Sequence, residues 1–173
     1  VAKGPNVMLG YYKDPVRTKS VFTEDGWFRT NDIAIQDEKG RYFIKGRNNN
    51  MILGPSGENI YPEEIESVIN NVDGVNESIV VERNGRLVAL VQLDDNMIEW
   101  DKEGEDNFYE RLDTLKDRIQ KMVNRSVNKT SQVSSVEVMK EPFEKTATQK
   151  IRRFKYKDSA PTVEEAAKEQ NKE

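Results

Sequence analysis

The chain has 173 residues, 35% of them hydrophobic and 34% charged, with a net charge of −4. That balance allows one modest core under a large wet surface and disfavours a globally basic nucleic-acid binder. Neither Cys nor His is present, which removes disulfides, thiolate metal sites, cysteine nucleophiles and any Ser-His-Asp mechanism.

Apolar runs are only a few residues long, too short to span a membrane. No signal peptide opens the chain, so the cytoplasm is the expected compartment. The start at Val1-Ala2-Lys3-Gly4-Pro5, without Met, reads like the middle of a larger protein.

Residues 4–45 read as short strands and turns. Asp14-Pro15 and Asp25-Gly26 are breaks, and Lys39-Gly40 between Ala34-Ile35 and Arg41-Tyr42-Phe43-Ile44 predicts a hairpin. Trp27, Phe28, Tyr42 and Phe43 are the expected centre of this small β unit. Arg47-Asn48-Asn49-Asn50 is polar and turn-prone, as a linker or hinge would be. Met51-Ile52-Leu53 is a short strand candidate, and Gly54-Pro55-Ser56-Gly57 a loop.

Pro62 suits the first turn of a helix, followed by Glu63 and Glu64 near its positive end. Ile65, Val68, Ile69 and Val72 fall at i, i+3, i+4 and i+7, an amphipathic helix of about three turns. Two apolar runs, 78–82 and 87–93, flank Asn84-Gly85, a strong hairpin signal. A second helix is predicted over 107–127, with Phe108, Leu112, Leu115, Ile119, Met122 and Val123 on one face. A strand follows at 133–139, and 159–173 reads as a charged tail. The sum is α+β: a small mixed sheet with two main helices, preceded by a β-rich segment.

Three runs carry a resemblance to a known family. The first is Gly4 to Tyr12 (GPNVMLGYY) with Gly26-Trp27-Phe28-Arg29-Thr30-Asn31-Asp32. The second is Gly46-Arg47 with Gly57-Glu58-Asn59-Ile60-Tyr61-Pro62-Glu63-Glu64-Ile65-Glu66. The third is Glu144-Lys145-Thr146-Ala147-Thr148-Gln149-Lys150-Ile151-Arg152-Arg153. In this order they resemble the C-terminal part of the adenylate-forming acyl-CoA synthetases, with wording most like long-chain fatty acyl-CoA synthetases. The resemblance implies ATP-dependent activation of a fatty acid to acyl-AMP, then transfer of the acyl group to CoA, with Mg²⁺ bound mainly by a large N-terminal domain. It also implies that 1–45 ends that large domain, that 46–158 is a small mobile domain, and that 159–173 is a tail. The partner expected is then the chain's own large domain, and a fatty substrate is compatible with loose peripheral membrane association. Alone, such a piece is expected to be inactive.

The resemblance assigns residues as well. Asp32 would accept hydrogen bonds from the ribose hydroxyls of ATP, which a carboxylate can do twice over. Arg47 would stand near ribose or phosphate oxygens, where a forked cation fits. Asn49 falls at the hinge pivot, where the family usually has Asp or Lys. Gly57 and Glu58 lie in the loop that faces the active site during thioester formation, and a glycine there lets a pantetheine arm pass close to the backbone. Lys150 would contact the carboxylate as it attacks the α-phosphate. Two anions meet in that step, and one positioned cation is worth about 2.7–4 kcal/mol to it.

Without the resemblance each residue has a plainer reading. Asp32 would end a strand, Arg47 and Asn49 would be loop residues, and Gly57 would close a turn. Lys150 would belong to a solvated strip with Lys140, Lys145, Arg152, Arg153, Lys155 and Lys157. Gln149 and Asn31 stand where the family has Gly. Two other functions remain open: a relative that loads acyl groups onto a carrier protein, and a small α+β module whose basic strip holds RNA or an anionic surface.

Overall fold

The computed structural model describes residues 1–94 and 105–163. They fall into two compact units that divide after Asn50. The division expected at residue 46 is displaced because a hairpin strand continues through Arg47 and a single helical turn, Asn48–Asn50, follows it.

In the first unit the Asp14-Pro15 pair starts a helix, α1 (Pro15–Val21). The Asp14 side chain accepts from the Arg17 N–H at 2.9 Å, and Pro15 fills the first turn, where no N–H is needed. Strands β1 (Asp32–Gln36) and β2 (Tyr42–Arg47) then pair antiparallel. Asp37 organises their turn, accepting from the backbone N–H of Lys39 and Arg41.

The aromatic centre expected for this unit does not form. Tyr42 is 71% exposed, Phe43 47% and Trp27 38%, because a two-stranded ribbon has no second layer of its own to cover its faces. Phe28 alone of the four is half-buried, tilted against Phe22 with ring centroids 5.5 Å apart.

The second unit holds the main sheet. A short ribbon of β3 (Ile52–Leu53) and β4 (Asn59–Ile60) leads into α2 (Pro62–Ile69), with Pro62 in the predicted first position. The helix stops at Ile69, earlier than the periodicity suggests, and Val72 is buried in the turn beyond it. Strands β5 (Val75–Arg83) and β6 (Arg86–Leu93) form an antiparallel hairpin. Its corner, Asn84 and Gly85, has φ of 53° and 73°, the double positive φ that a two-residue hairpin demands.

Helix α3 (Glu105–Ser126) and β7 (Ser135–Val138) complete the unit. Parallel pairing of β7 with β6 makes the sheet mixed, in the order β5-β6-β7.

Alternation along the strands sorts the core into two faces. Val80, Ala89, Val91, Val136 and Val138 meet Ile65 and Ile69 of α2 and Leu112, Ile119 and Val123 of α3. Met122, expected on that stripe, is 38% exposed at its edge. Ile79, Val81, Val88 and Leu90 face the other way, onto Met139, Phe143, Tyr156 and Ala160. β6 is therefore covered on both faces, which is why residues 87–93 read as a nearly unbroken apolar run.

The second covering layer is the segment that contains Lys150, which has little regular structure beyond a single 3-10 turn at Arg153–Tyr156. It is tied in at its far end: Thr162 pairs with Met139, and the Lys140 N–H donates to the Pro161 carbonyl at 3.0 Å. Ala160, Thr162 and Val163 are buried, so the segment expected to begin a tail at 159 is part of the core. The remainder of that tail, 164–173, lies outside the described residues. Among the described residues no helix is long and apolar enough to cross a membrane.

Candidate active site

The structure places Asp32 and Arg47 opposite each other across the open end of the β1–β2 hairpin. Arg47 Nε donates to Asp32 Oδ1 at 2.9 Å, and both side chains remain partly exposed. Asn31, which precedes Asp32, has a φ of 60°, and its carbonyl accepts from the Asn48 N–H at 2.9 Å. The backbone there does adopt the left-handed form that a glycine would take freely, and Asn is among the few side chains that tolerate it. Asn49 is exposed in the single turn at which the two compact units divide.

In the second unit, Gly54 to Glu58 form a closed loop. The Gly57 N–H donates to the Gly54 carbonyl at 2.9 Å, and the Gly54 N–H to the Glu58 carbonyl at 2.8 Å. Gly57 has a φ of 84°, so its own turn requires glycine. Gly54 matters for a different reason: a Cβ there would collide with the Glu58 side chain. The Glu58 carboxylate is occupied within the loop, accepting from the Ser56 N–H at 3.1 Å. No hydrogen bond or ion pair joins this loop to the Lys150 turn among the described residues.

Lys150 lies at the end of a tight turn. The Thr146 N–H donates to the Lys150 carbonyl at 2.8 Å, and the Lys150 N–H to Thr146 Oγ1 at 3.2 Å. Below them Lys145 and Ile151 face each other as a β bridge. Gln149, at φ 60°, makes the corner in the left-handed region, so the missing glycine is replaced by a strained residue in the same conformation. The Lys150 side chain is exposed and its ammonium has no ion-pair partner among the described residues.

Its cationic neighbours differ. Lys145 pairs with Glu77 at 2.7 Å, Arg152 with Glu144 at 3.2 Å, Lys155 with Glu144, and Arg153 with Glu66. Four of the seven cations of the supposed basic strip are thus matched by carboxylates. Hydrogen bonding from Lys155 is the largest influence on Glu144 and holds its carboxyl below the usual range.

Sequence reasoning missed Glu66 and Arg153. Glu66 is 7% exposed on α2 and accepts from the Val80 N–H at 2.6 Å as well as from Arg153. Burial works hardest against the Arg153 charge, but the bonds to Glu66, with the fields of Glu66 and Glu63, outweigh it and raise its pKa. One signal was available: Pro62, Ile65, Glu66 and Ile69 are the buried residues of α2, and Glu66 occupies the i+4 position of that apolar face. Among the described residues no group of three or more acidic side chains could hold a metal ion.

Comparison with known proteins is consistent with these features. No family model matches the chain. The probable acyl-activating enzyme 9 of Arabidopsis thaliana is 32% identical over 166 residues, covering 94% of this chain and 28% of that protein. A long-chain-fatty-acid–CoA ligase of Salmonella typhimurium is 48% identical over 79 residues, 46% of this chain and 14% of the ligase. Among solved structures, O-succinylbenzoate coenzyme A synthetase (MenE) from Bacillus subtilis in complex with AMP superposes with a TM-score of 0.68 at 25% identity, covering 92% of this chain and 30% of the synthetase. The chain thus spans less than a third of the length of each of these proteins. The acids named for them differ, so the shared property is the ligase type and not the substrate. The chain is acyl- or aryl-CoA-ligase-like, similar to members of the adenylate-forming (ANL) superfamily, and its fold matches the C-terminal domain of those enzymes.

Proposed function

We propose that the chain is the C-terminal part of an ATP-dependent, AMP-forming ligase that joins a long-chain fatty acid to CoA. In the first step a fatty carboxylate oxygen attacks the α-phosphorus of ATP and pyrophosphate leaves. In the second the CoA thiol attacks the acyl carbonyl and AMP leaves. Lys150 acts in the first step, setting its ammonium beside the two anions that must approach each other. A compact charge on a flexible stem suits that task.

One observation carries this reading. Lys150 keeps an exposed ammonium without an ion-pair partner among the described residues, on a closed turn, while Lys145, Arg152, Arg153 and Lys155 are paired with carboxylates. Lys140 and Lys157 are unmatched among the described residues as well, so what marks Lys150 is its place at the end of that closed turn. Asp32 is assigned to the ribose hydroxyls, with Arg47 orienting it and reaching toward phosphate oxygen. Asn49 is assigned to the hinge. The Gly57–Glu58 loop is assigned to the passage of the pantetheine arm in the second step. Similarity to the Salmonella ligase supports the long-chain acid.

The test is an assay of the full-length protein with ATP and a panel of acids, following AMP release with CoA or a phosphopantetheinyl carrier protein as acceptor. Long-chain thioester formed on CoA is the expected result. Preference for an aryl or short acid would overturn the substrate assignment, and acyl transfer only to the carrier would overturn the acceptor. The isolated chain is expected to release no AMP.

A further inference from the structure

The Lys150 turn is closed by its own hydrogen bonds, so the location of its tip depends on what holds its foot. Three ties do so. The Glu144 pairs with Arg152 and Lys155 are open to solvent, and the Lys145–Glu77 pair is half-exposed. Pairs of that kind hold a segment weakly, because water screens the charges and both side chains must be ordered.

The third tie is different in kind. Arg153 donates through both terminal nitrogens to the two oxygens of Glu66, with Nη2 to Oε2 at 2.8 Å. Nη1 also reaches the Val80 carbonyl at 3.3 Å, and Glu66 accepts from the N–H of the same residue. Val80 is fully buried in the middle of β5. Helix, strand and the segment carrying Lys150 therefore converge on one desolvated fork, three residues from the reacting ammonium. Forked pairing fixes direction as well as distance, and a lysine cannot reproduce it.

We propose that Glu66 and Arg153 are positioning residues, whose buried forked pair sets where the Lys150 ammonium stands during acyl-adenylate formation. This rests on the reading of Lys150 given above. The pair touches no substrate and acts through the turn it anchors. Its loss therefore weakens the first half-reaction, which uses Lys150, and spares the second, which uses other residues.

The test compares Glu66→Gln, Arg153→Lys and Lys150→Ala in the full-length enzyme, with acyl-adenylate formation and acyl transfer from supplied acyl-adenylate assayed separately. Misplacement by about 1 Å can cost on the order of a hundredfold in rate, and that fall is expected in the first half-reaction of both pair variants, with the second unchanged. Amide exchange supplies an independent readout: residues 146–151 should exchange faster while Val88–Val91 of β6 keep their protection. If Lys150→Ala abolishes adenylation but both pair variants retain it at wild-type exchange, the pair has no positioning role. Loss of β6 protection in both pair variants would mark it as merely structural and equally overturn the proposal. If Lys150→Ala leaves adenylation intact, the reading of Lys150 fails and the positioning role falls with it.

Discussion

Lys150 and Arg153 are three residues apart on one segment, carry the same charge, and have opposite fates. Arg153 is drawn into the interior by Glu66 and the backbone of Val80. Lys150 is held out by a turn whose hydrogen bonds are all its own. A charge taken from water must be matched, and removing one partner leaves the other stranded. A charge left in water needs no match, and it remains available for a ligand. Partner supply, more than residue type, separates a structural cation from one left available.

That contrast can be broken at its strongest point first. Glu66→Ala strands the Arg153 guanidinium and should cost about 3–5 kcal/mol of folding stability, read from urea unfolding of the chain. Lys150→Ala in the same assay should change stability by no more than about 0.5 kcal/mol, since the side chain is exposed and has no ion-pair partner among the described residues. Equal losses in the two variants would erase the distinction.

Two smaller changes sharpen it. A left-handed residue with a long side chain is strained by about 1–2 kcal/mol, so Gln149→Gly should stabilise the chain by up to about 1 kcal/mol after the entropy of glycine is subtracted. Asn31→Gly has the same sign of backbone relief but should gain less, because Asn tolerates this conformation. Thermal unfolding of both variants tests the order.

The smallest effect concerns pH. Glu144 has its carboxyl below the ordinary 4.5 through hydrogen bonding from Lys155, opposed by desolvation and aided by the charges of Lys155 and Arg152. Its stabilising share is therefore full above 4.5 and is lost as pH falls through the lowered folded-state value. Glu144→Gln should lower the neutral plateau slightly and flatten the acid limb of the stability–pH curve, so that variant and wild type converge at low pH.

Local chemistry explains what was legible in the sequence. Asn84-Gly85 announced its hairpin because few residues accept two successive positive φ values, and α3 announced itself through a periodicity sustained over many turns. α1 stayed hidden because seven residues are too few to show a period, and its Asp-Pro cap also looks like a chain break. The exposure of Tyr42 and Phe43 was illegible for another reason, since apolar character does not say whether a second layer is present. The order of the Lys150 motif was readable, whereas the solvent exposure of its ammonium was not. The Glu66–Arg153 pair spans 87 residues, and only a carboxylate set within an apolar helical face hinted at it.

The measurement closest to the central claim is Lys150→Ala in the full-length protein, with the two half-reactions followed separately. The account predicts that acyl-adenylate formation falls by roughly a hundred- to thousandfold, while CoA transfer from supplied acyl-adenylate survives. Unchanged rates in both half-reactions would contradict it and return Lys150 to the solvated surface.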